Sequence, residues 1–167
     1  MMEVSWAEAI SRKYPEPVVL VISSGKEGKP NIMPAGWSMI TSGTPPMLAI
    51  AINQVNHTHR LIEETREFVL AFPNEEMEGI IEYAGSCSGR DTDKFADCGI
   101  ETLRSKYVKP PLIRDAVACF ECKVRGKLIT GDHTIFAGEV LASHISEKYK
   151  DRLYNFSNNR FRTIPKE

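Results

Sequence analysis

Short apolar runs separated by polar turns dominate this chain, a rhythm that predicts strands more often than helices. Val18-Val19-Leu20-Val21-Ile22-Ser23 is β-branched almost throughout and reads as a strand. Ser24-Gly25-Lys26-Glu27-Gly28-Lys29 is a glycine-bounded turn, and Pro30 to Ser42 continues as extended chain, so a hairpin is predicted. Pro45-Pro46-Met47-Leu48-Ala49-Ile50-Ala51-Ile52 is an apolar run of the kind buried on both faces. Phe68 to Phe72 is a further strand closed by Pro73, and Cys119–Ile129 and Thr134–Ile145 are two long strands joined by Thr130-Gly131-Asp132-His133.

Helical spacing is confined to a few segments. Residues 3–13 predict a short helix ended by Pro15 and Pro17. His57 to Glu67 predicts another, with Leu61, Thr65 and Phe68 on one face and Asn56 or Thr58 as its cap. Asn74 opens a third, with Glu75 and Glu76 in its first turn and a stripe of Met77, Ile80, Ile81 and Ala84. Ser86 to Gly99 reads as a loop, and the polar tail after residue 145 predicts no element. About six or seven strands and two or three helices, with mostly antiparallel connections, predict a mainly β fold with added helices, an antiparallel β-barrel. No linker or repeat divides the chain, so residues 1–167 are expected to form one domain.

Composition narrows the class. Of 167 residues, 42% are hydrophobic and 26% charged, as in globular rather than disordered chains. A formal net charge of −1 and scattered Lys and Arg provide no basic field for nucleic acid. No apolar stretch approaches the ~18 residues of a membrane span, and the N-terminus has no basic-then-apolar signal, so a cytoplasmic location and no membrane partner are expected. Cys119 and Cys122 form a CxxC, but on a strand such positions face opposite ways and do not converge on one metal. They are expected to be buried thiols, and no metal site is expected. GxGxxG, phosphate-loop and HExxH patterns are absent.

The candidate chemistry lies in three segments. Ala35, Gly36 and Ser38 interrupt the strand pattern beside Trp37 and Met39; small residues let a flat group approach the backbone, so Ala35 to Thr41 is a candidate slot for a flavin ring. Asn53 to Thr58 leads into a helix whose first N–H groups offer an anion site, with Asn53, Asn56, His57 and Thr58 as candidate phosphate contacts. The plain alternative is that Asn56 and Thr58 only cap a surface helix. Ser88-Gly89-Arg90-Asp91-Thr92-Asp93-Lys94 is a candidate second loop, with Ser88, Gly89, Arg90 and Lys94 turned to the ligand; the alternative is a solvated loop with Arg–Asp or Asp–Lys pairs. His133 is either structural or held by Asp132 near the ring.

These residues carry a resemblance. Asn31-Ile32-Met33-Pro34-Ala35-Gly36-Trp37-Ser38, Pro45-Pro46-Met47-Leu48, Asn56-His57-Thr58-His59, Ser88-Gly89-Arg90-Asp91-Thr92-Asp93-Lys94-Phe95 and Gly131-Asp132-His133-Thr134-Ile135-Phe136-Ala137-Gly138-Glu139-Val140, in that order, resemble the flavin reductase-like, FMN-binding split-barrel family, and within it the flavoredoxin and archaeal FMN-binding protein branch. The resemblance implies a six-stranded antiparallel split barrel, a homodimer, and one FMN per subunit near the interface. It implies that the segment matching Ala35–Met39 lines the isoalloxazine, that the one matching Asn53–Thr58 leads to the phosphate, and that His133 sits on the nicotinamide approach. The expected activity is FMN-dependent oxidoreduction, with hydride passing from NADH or NADPH to the flavin and electrons onward to free flavin, ferric iron or a redox protein. The other expectation is a non-enzymatic FMN electron carrier that does not use NAD(P)H.

Overall fold

The β-branched run after Pro17 becomes the middle of a long antiparallel sheet because both of its faces are covered: Val19, Leu20, Val21 and Ile22 are all fully buried. The computed structural model describes residues 1–158 and 160–164. In chain order, α1 is Trp6–Ile10, followed by a 3-10 turn at Ser11–Lys13, then β1 (Glu16–Pro17), β2 (Val19–Ser24), β3 (Pro30–Ala35), β4 (Ser38–Gly43) and β5 (Pro46–Asn53). Helix α2 (His57–Thr65) precedes β6 (Glu67–Phe72), and α3 (Glu78–Ser86) and α4 (Lys94–Asp97) follow. Then come β7 (Thr102–Leu103), β8 (Leu112–Ile113), β9 (Ala118–Thr130), β10 (His133–Ile145), β11 (Leu153–Asn155) and β12 (Phe161–Thr163).

The main sheet has seven strands in the order β3-β2-β6-β9-β10-β5-β4. Its two edge strands, β3 and β4, are consecutive in the chain and separated only by Gly36 and Trp37. A chain that short holds Ala35 and Ser38 within about 11 Å of each other. The sheet therefore curls until its edges meet at that end, which is how the barrel closes. The Ala51 N–H donates to the Trp37 carbonyl at 3.0 Å, carrying the pairing across the junction. The chain is thus mainly β with added helices, as its pattern predicts.

Two apolar clusters sit on either face of the curled sheet. Val19, Val21, Ile50, Ile62, Phe68 and Phe136 fill one; Leu20, Ile22, Ile32, Val69, Ile81 and Leu153 fill the other. Each buried aliphatic or aromatic side chain of this size contributes about 1.5–3 kcal/mol. Cys119 and Cys122 fall one in each cluster, as expected of positions three apart on a strand, and burial pushes their thiols up to about 11 and about 12. No metal-binding cluster of His, Cys, Asp and Glu occurs among the described residues, and no helix there is long and apolar enough to cross a membrane.

Four sequence expectations are corrected. The stretch from Pro30 to Ser42 is not one strand but two, broken at Gly36 and Trp37 and lying on opposite edges. In the run after Pro45 only Ala49, Ile50 and Ile52 are buried; Met47 and Leu48 are half-exposed, so this strand is not covered on both faces along its length. The loop at residues 86–99 contains α4, capped by the Asp93 carboxylate, which accepts the Ala96 N–H at 3.2 Å. The tail forms β11 and β12, which pair with β1 to make a second, three-stranded sheet.

Candidate functional site

A cleft of about 610 Å³ opens between edge strand β3, strand β5, the start of α2, the end of α3 and the loop before α4. One end is flat and built from small groups. Ala35, Gly36 and Ala51 line it, and Trp37 and His133 stand at its wall with ring centroids 4.7 Å apart and planes at 39°. Gly36 sits against the Glu16 carboxylate: a Cβ there would lie 2.7 Å from it, so a larger residue would push that side chain aside. His133 is held in place by its neighbour, its Nδ1 lying 2.7 Å from Asp132 Oδ1. The second Asp132 oxygen accepts the Asn53 side-chain amide at 3.1 Å, and the bond to His133 keeps this carboxyl below its ordinary range. Asp132 therefore fixes two cleft residues at once.

The other end is cationic and incompletely bonded. Asn56 occupies the N-cap position of α2, yet its side chain makes no capping bond; its amide reaches Met33 Sδ at 3.3 Å instead. The first N–H groups of the helix are left without that partner, and they carry the positive end of the helix dipole. Thr58 is buried, and its hydroxyl accepts from the Asn31 side-chain amide at 2.9 Å. Of four buried side-chain polar atoms without a hydrogen-bond partner among the described residues, two line this cleft: Asn31 Oδ1 and His57 Nδ1. Burial first, and then the cations Arg60, Arg90 and Lys94, hold the His57 ring below its ordinary pKa.

The loop before α4 closes the cationic end. Ser88 accepts the Asp91 and Thr92 N–H groups through its carbonyl, folding the loop back on itself. Gly89 then packs so tightly on Asn31 that a Cβ would lie 2.0 Å from Asn31 Oδ1. Arg90 donates to the Val55 carbonyl at 3.0 Å and Lys94 donates to the carbonyls of Ile32 and Ala84 at 3.1 and 2.6 Å. Lys94 is 5% exposed and has no carboxylate partner among the described residues, and burial lowers its pKa. The Arg–Asp and Asp–Lys pairs of a solvated loop do not form among the described residues.

Of the residues singled out from the sequence, Ala35, Gly36, Trp37, Asn53, Asn56, His57, Thr58, Ser88, Gly89, Arg90, Lys94 and His133 come together in this one cleft. Ser38 and Met39 do not: they line an apolar groove with Trp6 and Ile10 on the far side of Trp37. Thr41 is exposed further along β4, away from the cleft walls. The break at Gly36 and Trp37 is what carries these three away. Asn31 and Cys87 line the cleft without having been singled out. An inward-facing Asn inside a strand was the available signal for Asn31; Cys87 had none.

The profile of the flavin reductase-like domain matches residues 11–165. The chain belongs to the flavin reductase-like domain family. A protein of Archaeoglobus fulgidus is 39% identical over 138 residues, covering 83% of this chain and 77% of its own length. The crystal structure of flavoredoxin from Methanosarcina acetivorans is 27% identical with a TM-score of 0.87, covering 100% of this chain and 92% of that one. Flavoredoxin of Desulfovibrio vulgaris is 26% identical with a TM-score of 0.84, covering 99% and 95% of the two chains. Within this flavin reductase-like fold, the cleft joins a flat, small-residue end to a cation-rich end with unused donors.

Proposed function

We propose that this flavin reductase-like chain binds FMN in the cleft and catalyses electron transfer from NADH or NADPH, through the flavin, to an acceptor such as free flavin, ferric iron or a redox protein. The observation that carries the reading is the end of the cleft at α2, where a helix start without its side-chain cap, the unpartnered His57 Nδ1 and the buried Lys94 ammonium converge. An anionic group is what such a site lacks. A 5′-phosphate there is held by the α2 N–H groups, Asn56 and His57, with Arg90 beside it. The isoalloxazine would lie along the small residues Ala35, Gly36 and Ala51.

When bound, FMN supplies the hydride acceptance and the single-electron release that no side chain of this protein can perform. The chain's own part is orientation and charge. Backbone N–H groups of the cleft would stabilise negative charge at the polar edge of the ring, while Lys94 offsets charge at the anion end. Asp132 holds the His133 ring against Trp37, where it meets the nicotinamide and sets the angle of approach. The exposed apolar side chains of Trp6, Trp37, Met39 and Ile40 beside the flat end support a homodimer with the flavin near its interface.

The likeness to flavoredoxins favours a second reading, an FMN electron carrier that takes electrons from a protein donor and ignores NAD(P)H. Anaerobic mixing separates the two. The purified protein is expected to be yellow, and NADH or NADPH is expected to bleach it. His133→Ala is expected to retain the flavin and to bleach about ten- to a hundredfold more slowly, the usual cost of losing an orienting contact. Bleaching by a reduced electron-transfer protein but by neither nicotinamide leaves the carrier; a colourless protein that cannot be loaded with FMN ends both readings.

A further inference from the structure

Helix α2 carries two threonines whose hydroxyl groups are used differently. The Thr65 hydroxyl donates to the Leu61 carbonyl one turn back, at 2.9 Å. Thr58 is in the first turn, where the residue four back lies outside the helix, and its hydroxyl donates to no group among the described residues. It does accept. The Asn31 side-chain amide donates to it at 2.9 Å and, over a longer 3.4 Å, to Ser23 Oγ. A hydroxyl has a single hydrogen to give, and with the Asn31 amide on its oxygen that hydrogen must find an acceptor elsewhere. Thr58 is 2% exposed and lines the cleft at its cationic end. An unpaired donor at that depth costs stability, and an anionic oxygen in the cleft would pair it.

We infer that Asn31 is a positioning residue for the anion site: its amide occupies the Thr58 oxygen and so turns the Thr58 hydrogen to the cleft, where it donates to the flavin phosphate. This role rests on the proposed phosphate position at the start of α2. Asn31 acts through Thr58 and not on the ligand itself. Accepting one bond also polarises the hydroxyl and strengthens the bond it gives. The amide is well placed to impose a direction. Asn31 is 4% exposed, on β3 and in register with Ser23 of β2. Its Oδ1 packs on Gly89, where a Cβ would lie 2.0 Å from it. Three parts of the site therefore meet at Asn31: its own strand, the start of α2 and the loop before α4.

A mutant cycle read with two ligands tests this. Wild type, Asn31→Ala, Thr58→Val and the double variant are titrated by flavin fluorescence with FMN and with riboflavin, which has the same ring and no phosphate. Denaturant unfolding without flavin checks that each variant folds. Each single variant is expected to lose about tenfold in FMN affinity, and the double variant no more than about twofold beyond the weaker single. Riboflavin affinity is expected to stay within about twofold throughout, because it makes no phosphate bond to lose. Thr58→Ser, which keeps the hydroxyl, is expected to recover most of what Thr58→Val loses. Where Asn31→Ala does not fold, Asn31→Thr carries the same expectation: threonine suits a strand, and its hydroxyl is one bond shorter than the amide. Losses that multiply in the double variant make the two residues independent. Equal losses for FMN and riboflavin make Asn31 a packing residue. A Thr58→Val protein that binds FMN like the wild type leaves the hydroxyl unused. Each of these overturns the role. A wild type that binds FMN no more tightly than riboflavin, or binds neither, fails differently, by removing the proposed phosphate position itself.

Discussion

Glu121 and Lys94 are both ionisable, both buried and both carried by the same curled sheet or its flanking helices, yet their surroundings are finished differently. Glu121 has its two oxygens covered by three backbone N–H groups, from Lys106 at 3.1 Å, Tyr107 at 2.6 Å and Val108 at 3.3 Å, and by His144 Nε2 at 2.9 Å. Burial pushes its carboxyl up, but these bonds outweigh burial and leave it below its ordinary value. Among the described residues, Lys94 meets two neutral carbonyls and no carboxylate, and nearby Asn31 Oδ1 and His57 Nδ1 have no partner. A buried charge whose bonds are complete ties down a loop; one with bonds to spare has capacity for a ligand. The Glu121 cluster is therefore closed within the fold, whereas the Lys94 cluster is open in the way the proposed anion site requires.

Substitution of the two charges breaks the comparison if it is false. Glu121→Ala strands three N–H groups and a histidine, and is expected to destabilise the protein by about 3 kcal/mol in denaturant unfolding while leaving the flavin dissociation constant of the folded protein unchanged. Lys94→Met is expected to do the reverse. Removing a buried unpaired charge offsets the loss of two hydrogen bonds, so stability without flavin shifts by less than about 1 kcal/mol. Flavin affinity is expected to fall by about 1.5–3 kcal/mol, the value of a charge-assisted hydrogen bond, read by fluorescence titration. A Lys94→Met protein that unfolds readily but binds flavin normally when folded places Lys94 with Glu121 and ends the distinction.

Much of this arrangement is legible in the chain. The hairpin β9–β10, the buried run at β2 and the start of α2 all follow from local pattern, because in each the side-chain period and the turn residues agree. Cys119 and Cys122 point to opposite faces for the same period-two reason. What local pattern hides is long-range. Pro30 to Ser42 looks continuous because every residue in it tolerates extended backbone, and only closure of the barrel shows that Gly36 and Trp37 step from one sheet edge to the other. Ser38, Met39 and Thr41 were therefore expected in the slot but lie beyond it. Lys94 in a run of charges looks solvated; its burial depends on two carbonyls, from Ile32 and Ala84, that the loop meets only in three dimensions.

The smallest expected effect, and the one that sharpens the comparison most, is in pH. The free His57 is depressed below its ordinary 6.5, chiefly by burial. As pH falls through 6.5 the unfolded chain takes up this proton before the folded one does, so stability is lost from there down to the lowered folded value. An anion bound at the start of α2 cancels the neighbouring positive charges and lifts His57 back, so the flavin-loaded protein loses less over the same window and flavin binds more tightly as pH falls. Glu121 follows the other rule: its contribution is present above its ordinary 4.5 and is lost as pH falls below it, with or without flavin. Denaturant midpoints measured from pH 7.5 to pH 4 on the free and loaded protein are expected to diverge near pH 6 in the wild type and to run in parallel there in His57→Gln. Parallel curves in the wild type remove His57 from the anion site.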